Sequence, residues 1–300
     1  MEYKEVYKES VDNKIANDRA KQINFIEIEI QNDSVNEQLA EMFIKEIINY
    51  NLKIDLDKES WNDIKEIIVD KIELIDNEGR GFYKNDGTII PLIANYILSG
   101  YFNTELLSYL QDLEELEGAP NGFDAIFLGK NTEIFLCEYK SSTSQLDENK
   151  LAKLTIEGYK SIFCKKSKVI ARIGLTRERI KYKKKIEKKK IVENLSLIRK
   201  NRRDLTKLTQ NKKDILFNIC CVSKYSNIIN HDKLYNEINN AFIKEKFCKK
   251  DASNDCSYIK TCDKYERIKV INIINIKLPQ KFDIKKFYNK IIEYIEREYL

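Results

Sequence analysis

Residues 118–140 constrain the fold of this chain more than any other stretch. Gly118-Ala-Pro-Asn-Gly122 breaks whatever regular structure precedes it. Phe123-Asp-Ala-Ile-Phe-Leu128, the turn Gly129-Lys-Asn131 and Glu133-Ile-Phe-Leu-Cys-Glu-Tyr-Lys140 follow. Two short apolar runs bounded by turn formers read as the strands of a β-hairpin. Both alternating sets of side chains in these runs are apolar, so both faces need covering, as for central strands of a sheet with helices on each side. The chain is expected to be an α/β protein.

The remaining elements fit that expectation. Asn24-Phe-Ile-Glu-Ile-Glu-Ile30 alternates as a half-exposed strand. Ser34-x-x-Glu37 reads as a capping box opening a helix to about residue 50, and Ser60-x-x-Asp63 opens another to about residue 75. Pro91 starts a helix that Gly100 interrupts, and Thr104 caps a further one whose leucines 106, 107, 110 and 113 form one apolar face, with Glu105 in its first turn. Beyond the hairpin a helix is expected over 147–163, then a helical pair in the basic stretch. A buried strand Ile215–Val222, a helix over 234–247, a strand Lys269–Lys277 and a final helix over 284–299 complete the pattern. The expected division is an acidic, mainly helical module over 1–88 and an α/β core over 89–300, interrupted at about 164–213 by a basic helical insertion.

Charge is distributed unevenly. The whole chain carries +5, but residues 1–159 hold 16 basic against 32 acidic side chains, whereas residues 160–213 hold 21 against 4. Within the basic stretch lies Lys181-Tyr-Lys-Lys-Lys-Ile-Glu-Lys-Lys-Lys190. Its lysines 181, 183, 184, 185, 188, 189 and 190 are candidates for contact with a nucleic-acid backbone, where each would release condensed counterions. The alternative is a solvated helical face. Only Phe163 and Tyr182 are aromatic there, so duplex backbone or a partner's acidic face suits the stretch better than stacked bases.

Residue scarcity excludes much chemistry. His231 is the single histidine, which rules out paired-histidine nucleases, Ser-His-Asp hydrolases and HExxH metalloproteases. GxxxxGK[ST] is absent, and Gly79-Arg80-Gly81 lacks the third glycine of a dinucleotide fingerprint. No small-molecule cofactor is expected. The seven cysteines suggest buried free thiols rather than a disulfide framework, with a zinc site at Cys248, Cys256 and Cys262 as the alternative, although their spacing is wide for one. No apolar run approaches the roughly 20 residues needed to span a bilayer, and the first residues are charged, so no membrane association and a cytoplasmic location are expected.

The hairpin carries the chemistry. Antiparallel partners about its turn have residue numbers summing to 261 or 262, which sets Asp124 opposite Cys137 or Glu138. In the 262 register the carboxylates of Asp124 and Glu138 share a face, and Lys140 joins them. A salt bridge at a strand end is one explanation. The other is a hard-cation site in which Asp124 and Glu138 hold Mg²⁺ or Mn²⁺ and Lys140 orients water or offsets charge on a phosphate. Such a site hydrolyses phosphodiesters without histidine.

Phe123-Asp124, thirteen residues, then Glu138-Tyr139-Lys140 resembles the PD-(D/E)xK nuclease motif, with the proline displaced to Pro120. The order of elements is similar to the restriction-endonuclease-like core of helix, central mixed sheet and flanking helices. The resemblance implies that Asp124 and Glu138 are metal ligands, Lys140 the catalytic lysine and Glu105 an auxiliary acid. Lys153 and Tyr159 stand at a looser spacing than the Gln or Lys and Tyr that members place on the next helix. A narrower resemblance, over residues 80–280, is to the nuclease subunit of Hachiman antiphage systems, the HamA type. It rests on ELLSYL, Gly122-Phe-Asp124, FLCEYKSS and the helical insertion. It implies a DNA endonuclease acting beside a separately encoded helicase, which suits a chain without a P-loop. A non-catalytic adaptor that binds nucleic acid or a partner is the alternative, and RNA is the alternative substrate.

Overall fold

The computed structural model describes residues 1–15, 19–32, 34–47, 58–77, 86–109, 124–142, 146–163, 185–201, 205–208, 214–223, 229–244, 270–279 and 282–300. In chain order its elements are β1 (Tyr3–Ile15), β2 (Arg19–Ile30), α1 (Glu37–Ile47), α2 (Lys58–Asn77), α3 (Asp86–Phe102), β3 (Glu105–Tyr109), β4 (Ala125–Leu128) and β5 (Ile134–Ser142). Then follow α4 (Glu148–Phe163), α5 (Lys185–Lys200), a 3₁₀ turn (Leu205–Lys207), β6 (Ile215–Ser223), α6 (His231–Lys244), β7 (Val270–Lys277) and α7 (Ile284–Glu298). The strands form one mixed sheet in the order β1-β2-β7-β6-β5-β4-β3. Strands β2, β7, β6 and β5 run parallel, while β1 lies antiparallel to β2, β4 to β5, and β3 to β4.

The sheet separates two apolar layers, which makes the chain an α/β protein. Ile28, Cys137, Tyr139, Cys220, Val222, Ile274 and Ile276 face a layer that includes Phe43, Ile97, Phe287 and Ile291 of α1, α3 and α7. Ile126, Ile134, Leu136, Ile219, Cys221 and Ile273 face the opposite layer, with Ile156 of α4, Leu195 of α5 and Ile238 of α6. This two-sided burial is what the doubly apolar strands demanded. Among the described residues no helix is long and apolar enough to cross a membrane.

Several expectations for individual elements are corrected. The helix expected from Thr104 is a strand at Glu105–Tyr109, because its adjacent leucines serve opposite layers, Leu106 packing on one and Leu107 on the other. An apolar run that buries both sides does not distinguish the two conformations by itself. α1 is capped by Asn36, whose Oδ1 accepts from Leu39 N–H at 3.0 Å, while the Ser34 hydroxyl donates to Asn32. α3 begins before Pro91 and runs through Gly100 to Phe102. The division expected at residue 88 falls inside α3 and crosses the sheet, since β1 and β2 are two of its seven strands and β2 pairs with β7.

Helix α4 is fixed at its start by Glu148, whose carboxylate accepts from Asn230 N–H at 2.8 Å and from Lys233 Nζ at 2.9 Å, tying α4 to the first turn of α6. The Asn230 N–H and the Lys233 ammonium hold the Glu148 carboxyl down at about 2. A carboxyl lowered from 4.5 adds stability that is complete above pH 4.5 and disappears as pH falls through 2. Glu148→Gln is therefore expected to cost about 1–2 kcal/mol at pH 7, the low end for hydrogen bonds to a charged group because the Lys233 side chain is half exposed, and much less at pH 2. Urea unfolding at both pH values checks this, and an equal loss at both would contradict the linkage.

Candidate active site

The β4–β5 hairpin pairs Ala125 with Cys137 and Leu128 with Ile134, so partner numbers sum to 262. The turn that sets this register closes with Gly129 N–H donating to Glu133 O and Thr132 N–H to Gly129 O. Asp124 thereby lies opposite Glu138, one residue beyond the strand. Its backbone N–H donates to Cys137 O at 2.7 Å, and its carboxylate Oδ2 accepts from Tyr139 N–H at 2.6 Å. One oxygen of Asp124 thus continues the sheet ladder where a backbone carbonyl would otherwise stand.

Glu138 and Lys140 are two residues apart on β5 and share its face. Lys140 Nζ donates to Glu138 Oε1 at 2.8 Å and lies 3.5 Å from Ser161 Oγ. Their side chains are only 5% and 23% exposed for Glu138 and Lys140 respectively. Among the described residues, none makes a hydrogen bond to the buried Glu138 Oε2. Burial pushes the Glu138 carboxyl up to about 7, and the charge of Asp124 adds to this; Lys140 and Ser161 act in the opposite sense and do not offset it. Burial would depress Lys140, but the charges of Glu138, Asp124 and Glu157 hold its ammonium above the ordinary lysine value.

An internal control stands three strands away. Lys140, Cys221, Asn275 and Glu27 occupy one lateral row on the same face of β5, β6, β7 and β2. Glu27 is also buried, but Lys277 pairs with its Oε1 and Asn275 Nδ2 donates to its Oε2 at 3.1 Å. That carboxylate has a partner on each oxygen, as a structural ion pair should. Among the described residues, Glu138 has a hydrogen-bond partner on one oxygen only, although a Ser161 hydroxyl and a lysine stand beside it. Comparison with family models, curated proteins and solved structures gives no match.

The other candidate residues are dispersed. Glu105 pairs with Leu128 at the turn end of the hairpin, roughly four residues or ~13 Å along the strands from the carboxylates, and so does not join Asp124 and Glu138. This corrects the position that the helix and the resemblance implied for it. Tyr159 is fully buried, and its hydroxyl accepts from Asn272 N–H at 2.8 Å, a packing role; Lys153 is exposed on α4. Lys181, Lys183 and Lys184 lie outside the described residues, as do Cys248, Cys256 and Cys262. Lys185 opens α5. Lys188 is half-buried, and Lys189 and Lys190 are exposed. Lys190 Nζ donates to Asn131 O at 3.0 Å, which places this end of the basic helix beside the hairpin turn rather than beside the carboxylates. Cys137, Cys220 and Cys221 are free and buried, and burial pushes the Cys137 and Cys221 thiols up to about 12, far from reactive thiolates.

Ser161 and Glu157 of α4 were not singled out by the sequence. They stand one helical turn apart on one face, and α4 comes close to the sheet at Gly158, where a Cβ would lie 2.8 Å from Ile219, the β6 neighbour of Glu138.

A divalent hard cation fits these donors. Mg²⁺ is commonly held by one or two carboxylates with water and phosphate oxygens completing its shell, so two acids suffice, and among the described residues no group of three or more His, Cys, Asp or Glu assembles. The buried, unpartnered Glu138 Oε2 is the acceptor such an ion would satisfy.

Proposed function

We propose that the chain is a metal-dependent nuclease hydrolysing DNA phosphodiester bonds, with Asp124, Glu138 and Lys140 as its catalytic group. The observation that carries this reading is the orphaned, buried Glu138 Oε2 beside Asp124 and Lys140, set against the fully partnered Glu27. A buried carboxylate oxygen without a protein partner calls for an explanation, and a ligand site supplies one. Asp124 and Glu138 would hold Mg²⁺ or Mn²⁺. The bound ion would polarise a phosphoryl oxygen and acidify water. Tyr139 N–H fixes Asp124, the hairpin register fixes Glu138 opposite it, and Lys140 brings a positive charge to offset the charge gathering on phosphate oxygens.

The finer assignment follows the resemblance of the motif: a restriction-endonuclease-like core within the α/β fold, and the HamA-type nuclease subunit of a cytoplasmic Hachiman antiphage system working beside a helicase. The parallel strands β5 and β6 with α4 on the site face support the first, and the absence of a P-loop supports the second. The test is cleavage of supercoiled plasmid with Mg²⁺ or Mn²⁺, alone and with a co-encoded helicase, with RNA as competitor. No cleavage in any combination, together with no Mn²⁺ binding heat, would leave the adaptor reading in its place.

A further inference from the structure

The contact between Lys140 Nζ and Glu138 Oε1, at 2.8 Å, draws on the same carboxylate charge whose other oxygen, Oε2, the proposed cation would take. Ammonium and cation are both attracted by Glu138, and like charges cannot share it without cost. A displaced ammonium in so buried a position would itself be expensive without a new partner. The side of α4 facing it supplies one. Ser161 Oγ is already 3.5 Å from Nζ, Glu157 lies one turn before Ser161 on the same helix face, and its charge acts on Lys140. Gly158, between them, lets the helix sit close to the sheet at this level.

We infer that Lys140 and a divalent cation compete for Glu138, and that Glu157 and Ser161 are positioning residues that receive the lysine ammonium when the cation takes the carboxylate. This rests on the metal-site reading of Asp124 and Glu138. Three carboxylates and one ammonium leave a net charge of −2 when all are ionised, which a divalent cation neutralises. The lysine is then held by α4 rather than cancelled by Glu138, and its charge stays available to a phosphate. Glu157 touches no reacting atom in this scheme and acts chiefly through Lys140.

Mn²⁺ titration calorimetry on the full chain separates the possibilities. Lys140→Met is expected to bind Mn²⁺ about tenfold tighter than the unaltered protein, although it removes the catalytic lysine; outer-sphere partners commonly change metal affinity ten- to a hundredfold. Glu157→Gln, on an exposed helix position, is expected to bind several-fold more weakly. The double variant should lie closer to Lys140→Met than Glu157→Gln lies to the unaltered protein, because most of the effect of Glu157 on the ion passes through the lysine. Lys140→Met binding no tighter overturns the competition. Glu157→Gln weakening Mn²⁺ equally in both backgrounds overturns the positioning role, and unchanged affinity in Glu157→Gln alone does so even if Lys140→Met does not fold. Absence of Mn²⁺ binding in every protein removes the metal-site reading itself, a different failure from intact binding without competition.

Discussion

Alanine at Asp124, Glu138 or Lys140 is expected to lower metal-dependent plasmid cleavage by about 10³-fold or more for each single change. Removing one preorganised group that meets developing charge typically costs about 10²–10³ in rate, and loss of a cation ligand adds the several kcal/mol that the ion supplies to the transition state. The three losses should differ in kind. Asp124→Ala also deprives Tyr139 N–H of its 2.6 Å acceptor, so Asp124→Asn, which keeps an oxygen there, separates folding from chemistry. Lys140→Ala should lose cleavage while retaining Mn²⁺ binding; Asp124→Ala should lose both. Glu105→Ala should stay within about twofold of the unaltered rate, the ordinary range for a surface change away from the site, because Glu105 lies beside Leu128 at the other end of the hairpin. Agarose gels of supercoiled substrate with Mn²⁺ read all of these. Cleavage that survives Glu138→Ala and Lys140→Ala would remove the hydrolase assignment.

What the sequence disclosed about this site depended on how locally each feature is determined. The relation of Asp124, Glu138 and Lys140 was legible because a hairpin register follows from its turn, and period-two alternation then decides which side chains share a face. Strands β5, β6 and β7 were legible because burial on both faces leaves a dense apolar run. β1 was not legible. Its residues, YKEVYKESVDNKI, are mostly charged or polar because it lies at the edge of the sheet, where β2 alone among the described strands pairs with it. β3 was misread because Leu106 and Leu107, adjacent in the chain, serve layers on opposite sides of the sheet. Glu157 and Ser161 escaped because their meaning comes from Gly158 and the seating of α4 on β6, a tertiary distance that no local spacing encodes. The same reason separates Glu27 from Glu138: only the folded chain places Asn275 and Lys277 on the first and leaves an oxygen of the second bare.

Glu138→Gln is expected to stabilise the metal-free protein above pH 7. The Glu138 carboxyl titrates at about 7 in the fold against 4.5 for an ordinary glutamate, first because it is buried and second because Asp124 faces it. A carboxyl raised in this way favours its neutral form in the fold, so the ionised side chain works against folding once the pH exceeds 7. The sign follows from proton binding. Between pH 4.5 and 7 the folded protein retains a proton that the unfolded chain has released, so stability is complete below pH 4.5 and declines as pH rises through 7. Glutamine keeps the shape of the protonated acid and cannot ionise, so the difference between the two proteins should be near zero at pH 4.5 and reach its maximum above pH 7. Metal should invert the order. With saturating Mn²⁺ the unaltered protein gains stability by mass action, while Glu138→Gln, lacking a carboxylate ligand, gains less. Urea titrations at pH 4.5, 6 and 8, with chelator and with Mn²⁺, measure all four arms. If Glu138→Gln is the less stable protein at pH 8 in chelator, Glu138 is a net contributor to the fold through Lys140, and the orphaned oxygen loses its significance as the mark of a ligand site.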